Sequence, residues 1–388
     1  MKCVELFAGI GGFRIALDYS KLSTVWANDS CPLAAKVYKS RFGDDIFVHD
    51  DLKRVIDTIP EHDLLTAGFP CQPFSSAGKK QGIRDPRGTL FHTIIQILQK
   101  HSPRFFVLEN VKRILSMENG QHFATILSAL SDLNYQIEWR LINATYFGLP
   151  QNRERVFIIG ILNNYSGVNS NPFWQNSVLN VKLINSEDLE SQYSSSIIRS
   201  LESSRWSDVV NHDSRFPTWG IAWKNRFFGL NISRFSDASE YTTLESILEH
   251  PDDVDPIFDF TSTMNLRLET SEPVNRFVGG VELLSNQGGG ARMGYTVFGV
   301  HGVAPTLTAA TSRHYERYKV GTRYRRLTNI EYARIQGFPD AHCEAATIYQ
   351  QFSLLGNAVP PPMVRWVLER LNQSGILIEQ LPSVLIQG

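Results

Sequence analysis

Up to about residue 165 the chain alternates short apolar runs with longer amphipathic ones. Val4-Phe7, Thr24-Ala27, Ile46-His49, Asp63-Ala67, Arg104-Leu108, Gln136-Ile142 and Val156-Leu162 read as buried strands. Phe13-Tyr19, Pro32-Phe42, Leu90-Lys100 and Phe123-Leu133 read as helices between most of them. A helix between two strands returns the chain to the same end of the sheet, so the strands run parallel and both sheet faces are covered. The expected architecture is α/β, a doubly wound and mostly parallel sheet. From about 165 to 300 the rhythm is lost and Asn, Ser and Gly become frequent, as in NNYSGVNSN and SNQGGGARMG. A second, smaller and irregular domain is expected there, with Thr243-Glu249 helical. After about 320 the pattern returns in Asn329-Ile335 and in Pro361-Leu371, a helix begun by prolines.

The length of 388 residues exceeds one ordinary domain. With 42% hydrophobic and 20% charged residues the chain can pack a core. A net charge of -1 means that any surface for nucleic acid has to be local. Cys3, Cys31, Cys71 and Cys343 form no CxxC pair, which argues against a disulfide framework and a cysteine zinc site. A reducing, cytoplasmic compartment and no metal are expected. The opening MKCVELFAGIGGF is broken at once by a glutamate and glycines, unlike a signal peptide, and no stretch reaches the roughly 18 apolar residues of a membrane span.

In open α/β sheets ligands bind beyond the carboxyl ends of the strands. The first strand is followed by Ala8-Gly9-Ile10-Gly11-Gly12, where a backbone can approach a ligand closely. The second ends in Asn28-Asp29, at the spacing from the glycine turn where an acid bonds ribose hydroxyls in nucleotide-type folds. The third ends in Asp50-Asp51, the fourth in Gly68-Phe69-Pro70-Cys71-Gln72 and the fifth in Glu109-Asn110. Each has an ordinary explanation alone: a turn, a helix cap, a buried thiol or a solvated strand end. Together they fall on one edge of one expected sheet, which points to a single site.

At Phe69-Pro70-Cys71-Gln72 and Glu109-Asn110-Val111 the sequence resembles the DNA cytosine-5 methyltransferase family. The similarity continues through ELFAGIGGFR (5-14), GFPCQPFSSAG (68-78), DPRGTLF (85-91), QNRERVF (151-157), RRLTNIEYARIQGFPD (325-340) and GNAVPPP (356-362). It covers about 1-162 and 305-371, with 165-300 matching loosely, as the family's target-recognition region does. The resemblance implies a class I S-adenosylmethionine-dependent methyltransferase fold, S-adenosylmethionine as cofactor and double-stranded DNA as partner. It also implies a prokaryotic modification enzyme, monomeric, cytoplasmic and nucleoid-associated, working beside a cognate restriction endonuclease. The chain begins just before its first motif, as a compact enzyme without a regulatory extension would. The implied domains are 1-180 (catalytic and cofactor-binding), 181-344 (target recognition) and 345-388, a segment returning to the catalytic domain.

The implied chemistry starts from the weak nucleophilicity of cytosine C5. A thiolate added at C6 makes the ring enamine-like, and Cys71 is the implied nucleophile; a free thiol has a pKa of about 8.5, so the site has to favour thiolate. Glu109 would protonate or bond N3 and accept from the N4 amine. Arg153 and Arg155 are implied nearby, one of them steadying the cytosine O2 and the cysteine loop, and an ion-pair scaffold is the other role open to Arg155. Phe7, Gly9, Gly11, Asp29, Asp50, Leu90 and Asn357 are the implied cofactor contacts. Asp50 is chosen over Asp51 by spacing to Cys71, and Ser30 and Cys31 stand where the family often has a bulky apolar residue against adenine.

The target base has to leave the duplex stack. Gln72, Ser75, Lys79 and Arg84 lie on a segment, Ser75-Gly88, read as a loop that closes over DNA. A second basic run from Arg292 to Arg334 holds eight Lys/Arg against two Glu, and Arg313, Arg317, Lys319 and Arg323 are interleaved there with tyrosines, as a phosphate-contacting surface would be. Arg267, Arg276, Asn286, Gln287 and Arg292 are candidates for base reading. A tRNA cytosine-5 methyltransferase is the nearest alternative, disfavoured by the length between QNRER and LTNIEYARIQGFPD. A catalytically inactive DNA-binding homologue is another, and the Cys71–Glu109 pair speaks against it. A nicotinamide oxidoreductase is opposed by the absence of GxGxxG.

Overall fold

The computed structural model describes residues 1–70, 90–162, 178–179, 195–197, 199–200, 209–210, 215–223, 226–232, 242–288, 293–309 and 316–373. The first part runs β1 (Lys2–Leu6), α1 (Gly12–Tyr19), β2 (Ser23–Asn28), α2 (Pro32–Phe42), β3 (Phe47–Val48), α3 (Leu52–Val55), β4 (Leu64–Gly68), α4 (Leu90–His101), β5 (Phe105–Val111), α5 (Gln121–Asp132), β6 (Tyr135–Asn143) and β7 (Glu154–Leu162). It continues through β8 (Ser195–Ile197), β9 (Arg199–Ser200), β10 (Val209–Val210), β11 (Trp219–Trp223) and β12 (Arg226–Leu230).

Ten of these strands form one sheet in the order β3-β2-β1-β4-β5-β7-β6-β11-β12-β8. Strands β3 to β5 are parallel, and β7 lies antiparallel between β5 and β6. The alternation along β5 shows why both faces are covered. Phe106 and Leu108 join the core with Ile94, Leu98, Phe123 and Leu127, the residues that α4 and α5 bury. Phe105 and Val107 join the opposite core with Phe13 and Leu17 of α1. A strand apolar at every position belongs in the middle of such a sandwich.

Strands β11, β12 and β8 continue the sheet beyond β6, although the sequence reading allots 195–230 to the second domain. They cover what would otherwise be the open edge of a nine-residue strand. Glu138, 5% exposed, helps hold this extension. It accepts from Trp219 Nε1 at 2.7 Å and from the Val178 and Leu179 amides at 2.7 and 3.1 Å.

The second unit contains α6 (Ser262–Glu269), β13 (Glu272–Val278), β14 (Val281–Asn286), β15 (Thr296–Phe298), β16 (Arg317–Val320) and β17 (Arg323–Arg325), its strands joined in that order into a five-stranded sheet. The expected helix at 243–249 is a single 3-10 turn, Leu244–Ile247. The chain ends its described part with α7 (Asn329–Gln336), α8 (Ile348–Asn357) and α9 (Pro361–Gln373). Met363, Val364 and Val367 of α9 lie in the same core as Phe13, Ala16 and Leu17 of α1. The core of the second unit reaches back in the same way, since it includes Ile10, Ala34 and Val37.

Candidate active site

The turn after β1 is shaped by left-handed backbone: Phe7, Gly9 and Gly11 have φ of 53°, 56° and 88°. Glycine adopts these angles freely, whereas at Phe7 the conformation costs on the order of 1 kcal/mol or more, a kind of strain that clusters at functional sites. A Cβ on Gly9 would meet nothing nearer than the Phe7 carbonyl at 4.0 Å, so the turn faces open space. The N-cap of α1 is Gly11, which brings no side chain to its first turn.

Asp29 joins this turn to the end of β2. Its Oδ2 accepts the Gly9 N–H and its Oδ1 the Cys31 N–H, both at 2.8 Å. A carboxylate accepts about four hydrogen bonds, so half its capacity is left for a pair of ligand hydroxyls. Asn28, 1% exposed, fixes the third strand end by donating from Nδ2 to the Val48 and Asp50 carbonyls at 2.8 and 2.9 Å. The Asp50 carboxylate accepts the Asp51 N–H at 2.7 Å, while Asp51 caps α3 by accepting the Lys53 N–H at 3.0 Å. Leu90 opens α4 and is half-buried.

Asn357 is exposed at the end of α8, and the turn it sits on meets the glycine loop. A Cβ on Gly12 would lie 2.3 Å from the Val359 carbonyl oxygen, so only glycine permits that approach. His342 Nε2 sits 2.7 Å from the Ile10 carbonyl on the same side. The geometry fits S-adenosylmethionine: an open glycine turn, an acid with spare acceptor positions and an exposed amide, gathered at one sheet edge.

Glu109, on β5, pairs with Gly68 at the end of β4, directly before Phe69-Pro70-Cys71. A Cβ on Gly68 would lie 3.4 Å from Glu109 Oε2. Arg155 Nε approaches Glu109 Oε1 at 2.9 Å. Burial pushes the Glu109 carboxyl up; the Arg155 and Arg153 charges oppose this without cancelling it.

Arg153 is 1% exposed and turned elsewhere. Its Nη1 donates to the Leu307 carbonyl at 2.7 Å, and its Nη2 to the Gly356 and Ala358 carbonyls at 3.1 and 2.9 Å. Of the two arginines, Arg155 therefore faces the acid and Arg153 braces backbone. The ion pair that the sequence reading left open for Arg155 is present, with Glu109 as its partner, while Arg153 bonds backbone carbonyls.

Two residues that sequence reasoning did not single out also order the site. Asn110, 2% exposed, donates from Nδ2 to the Phe69 carbonyl at 2.9 Å and so holds the backbone leading to Cys71. Gln151, fully buried, donates to Gln336 Oε1 at 2.9 Å and accepts the Leu307 N–H at 3.0 Å. Each lies inside a quoted motif, ENV or QNRER, so the signal was present without a role attached.

Cys71, Gln72, Ser75, Lys79, Arg84, Arg292 and Arg313 lie outside the described residues. The basic run around Arg317 is less available than its count suggests. Arg323 makes a two-pronged bond to Asp259, Arg325 to buried Glu331, and Arg334 to Asp340. Arg317 is half-buried in β16, and Lys319 is exposed. Arg267 and Arg276 are exposed, the latter beside an irregular step in β13 at Asn275 (φ 44°). Asn286 and Gln287 are half-buried. Among the described residues no helix is long and apolar enough to cross a membrane.

Sheet order, glycine turn and strand-end acids define a class I methyltransferase fold. The family model for C-5 cytosine-specific DNA methylases matches residues 1–373, and the chain belongs to that family. It is 31% identical over 386 residues to the type II methyltransferase M.HpaII of Haemophilus parainfluenzae, covering 95% of this chain and 89% of that protein. It is 44% identical over 171 residues to the type II methyltransferase M1.ScrFI of Lactococcus lactis subsp. cremoris, covering 42% of this chain and 43% of that one. With the first curated relatives it matches, the alignment thus spans about half of their length (43%, 60% and 45%). Among solved structures, a mutant of DNMT2 from Spodoptera frugiperda superposes with a TM-score of 0.61 at 20% identity, over 96% of this chain and 99% of that one, which speaks for the fold.

Proposed function

We propose that the protein is a DNA (cytosine-5) methyltransferase that modifies cytosine at a specific site in double-stranded DNA, through a covalent bond between Cys71 and C6. The observation that carries this reading is the Glu109–Arg155 pair beside Gly68, three residues before Cys71. An acid made easier to protonate by burial, next to the strand end that leads to a thiol, suits addition to a pyrimidine.

Phe7, Gly9, Gly11, Asp29, Asp50, Leu90 and Asn357 would hold S-adenosylmethionine, with Asp29 taking the ribose hydroxyls. When bound, the cofactor supplies an electrophilic methyl group. The chain's own residues do the rest. The Cys71 thiolate adds to C6 and pushes an electron pair towards N3, where Glu109 delivers a proton and so leaves C5 electron-rich. Arg155 holds Glu109 in place and would steady the cytosine O2. After methylation, N3 returns its proton to Glu109, and loss of the C5 proton to a base expels the Cys71 thiolate and restores the aromatic ring. The cytosine has to be flipped out of the stack for any of this.

Residues 1-180 and 345-388 are assigned to catalysis, and DNA reading to the part of 181-344 that builds the five-stranded sheet. Gln72, Ser75, Lys79, Arg84, Arg313 and Arg317 are assigned to DNA contacts, with the exposed edge strand β13 and Arg276 towards the bases. The protein would act as a monomer in the cytoplasm, at the nucleoid, beside a cognate restriction endonuclease.

The test uses purified protein, tritiated-methyl S-adenosylmethionine, mixed-sequence duplex DNA and, in parallel, tRNA. 5-Methylcytosine at one recurring DNA site is the expected result. Label in tRNA alone, or no label despite bound cofactor, overturns it.

A further inference from the structure

We propose that Arg153 is a positioning residue for the cofactor: it sets the Gly356–Ala358 turn that presents Asn357, and cofactor affinity depends on it more than the chemical step does. This rests on the assignment of Asn357 to the cofactor made above. Two of the three carbonyls that Arg153 holds are those on either side of Asn357, and the third is Leu307. The turn is confined on both flanks. A Cβ on Gly356 would lie 2.5 Å from the Thr308 carbonyl carbon, and one on Gly12 would lie 2.3 Å from the Val359 oxygen. Asn357 is thus the exposed member of a turn wedged between the glycine loop and residues 307–309.

The chemistry of the bracket is consistent with this role. Gly356 and Ala358 lie at the carboxyl end of α8, where carbonyls lack helical partners and the helix dipole is negative. A buried guanidinium is stabilised there by carbonyls, with the Glu109 charge adding to them. Burial lowers it only to about 9, so it stays charged at neutral pH. Its planar fork reaches three carbonyls together, which a lysine's point charge cannot. Arg155 occupies the position against Glu109, so loss of Arg153 leaves the acid's partner in place.

The experiment is calorimetric titration of Arg153→Lys with S-adenosylmethionine, next to single-turnover kinetics on duplex DNA at saturating cofactor. Circular dichroism and thermal melting check the fold. A Kd for cofactor raised about tenfold is expected, the effect of one lost charged hydrogen bond, with the saturated rate within about threefold of the parent. In combination with Asn357→Ala the losses should fall short of additive, because Arg153 acts through Asn357. An unchanged Kd with a fallen rate would place Arg153 at the reacting base, and additive losses would separate it from Asn357; either overturns the proposal. Should Arg153→Lys fail to fold, Gly356→Ala keeps all three donors while driving the turn off Thr308. It is expected to raise the cofactor Kd in the same way, and an unchanged Kd again overturns the proposal. A parent protein that binds no cofactor would instead refute the proposed function itself.

Discussion

Arg155 Nε and Glu109 Oε1 are 2.9 Å apart, and each side chain is only 12% exposed. Two influences meet at this acid. Burial disfavours its charge, the guanidinium favours it, and burial wins, leaving the carboxyl above its ordinary value of about 4.3. The pair therefore fixes the carboxylate's position while burial makes it easier to protonate than an exposed one.

This balance predicts a pH profile. If protonated Glu109 serves N3, the limb of the single-turnover profile set by this carboxyl falls as pH climbs through its raised value. Arg155→Gln removes the cation that lowers the carboxyl, so the falling limb should move to higher pH even as the absolute rate drops. A limb that stays, or moves to lower pH, disproves the assignment. Glu109→Gln should slow the chemistry by about 10²- to 10⁴-fold, the range for a lost general acid, with little change in DNA affinity by mobility shift.

Cys71→Ser should abolish methyl transfer while leaving calorimetric cofactor binding intact. A trapped, denaturation-resistant complex with DNA carrying 5-fluorocytosine should form with the parent and disappear with the variant. Substantial turnover by Cys71→Ser would remove Cys71 from the nucleophile's role.

Glu5, fully buried in β1, accepts from Tyr38 at 2.9 Å, and burial raises it to about 7. The native state thus binds this proton more tightly than the unfolded chain, whose Glu titrates near about 4.3. Native stability is then fully favoured below about pH 4 and falls as pH rises through about 7, by on the order of 3 kcal/mol in total. Glu5→Gln should flatten that part of the stability curve in urea melts. An unaltered slope would mean that other groups carry it.

Arg325 and Glu331 form a two-pronged pair, 2% and 0% exposed in their side chains, at the start of α7. Arg325→Ala should cost about 3–5 kcal/mol, because it leaves a buried carboxylate unpaired. Replacing both members with apolar residues should cost much less, apart from the capping box that Thr328 makes with Glu331. Chemical denaturation of the two variants distinguishes these outcomes.

What sequence made legible follows the physics of repetition. Apolar runs such as Phe105-Leu108 can only be central strands, and the strand ends then converge without further information. That geometry is why Gly9, Asp29 and Glu109 could be named from spacing. The roles of Arg153 and Arg155 were not separable, because they lie two residues apart on the entry to one strand and their partners come from residues 307 and 356 or from Glu109. Charge counting failed at Arg323, Arg325 and Arg334 for the same reason. Asp259 and Asp340 neutralise two of them, and neither partner can be paired with its arginine by sequence distance alone. The strands at 219–230 were hidden because their hairpin was read as irregular chain, and β6's need for a neighbour is visible only once the sheet is drawn.

The packing of α9 on α1 also has a meaning for synthesis. The ribosome makes α1 well before α9, yet Phe13, Ala16 and Leu17 share their core with Met363, Val364 and Val367. A nascent chain that already carries the glycine turn and Glu109 still has the apolar face of its first helix uncovered. That face is therefore covered only after the five-stranded unit has been made.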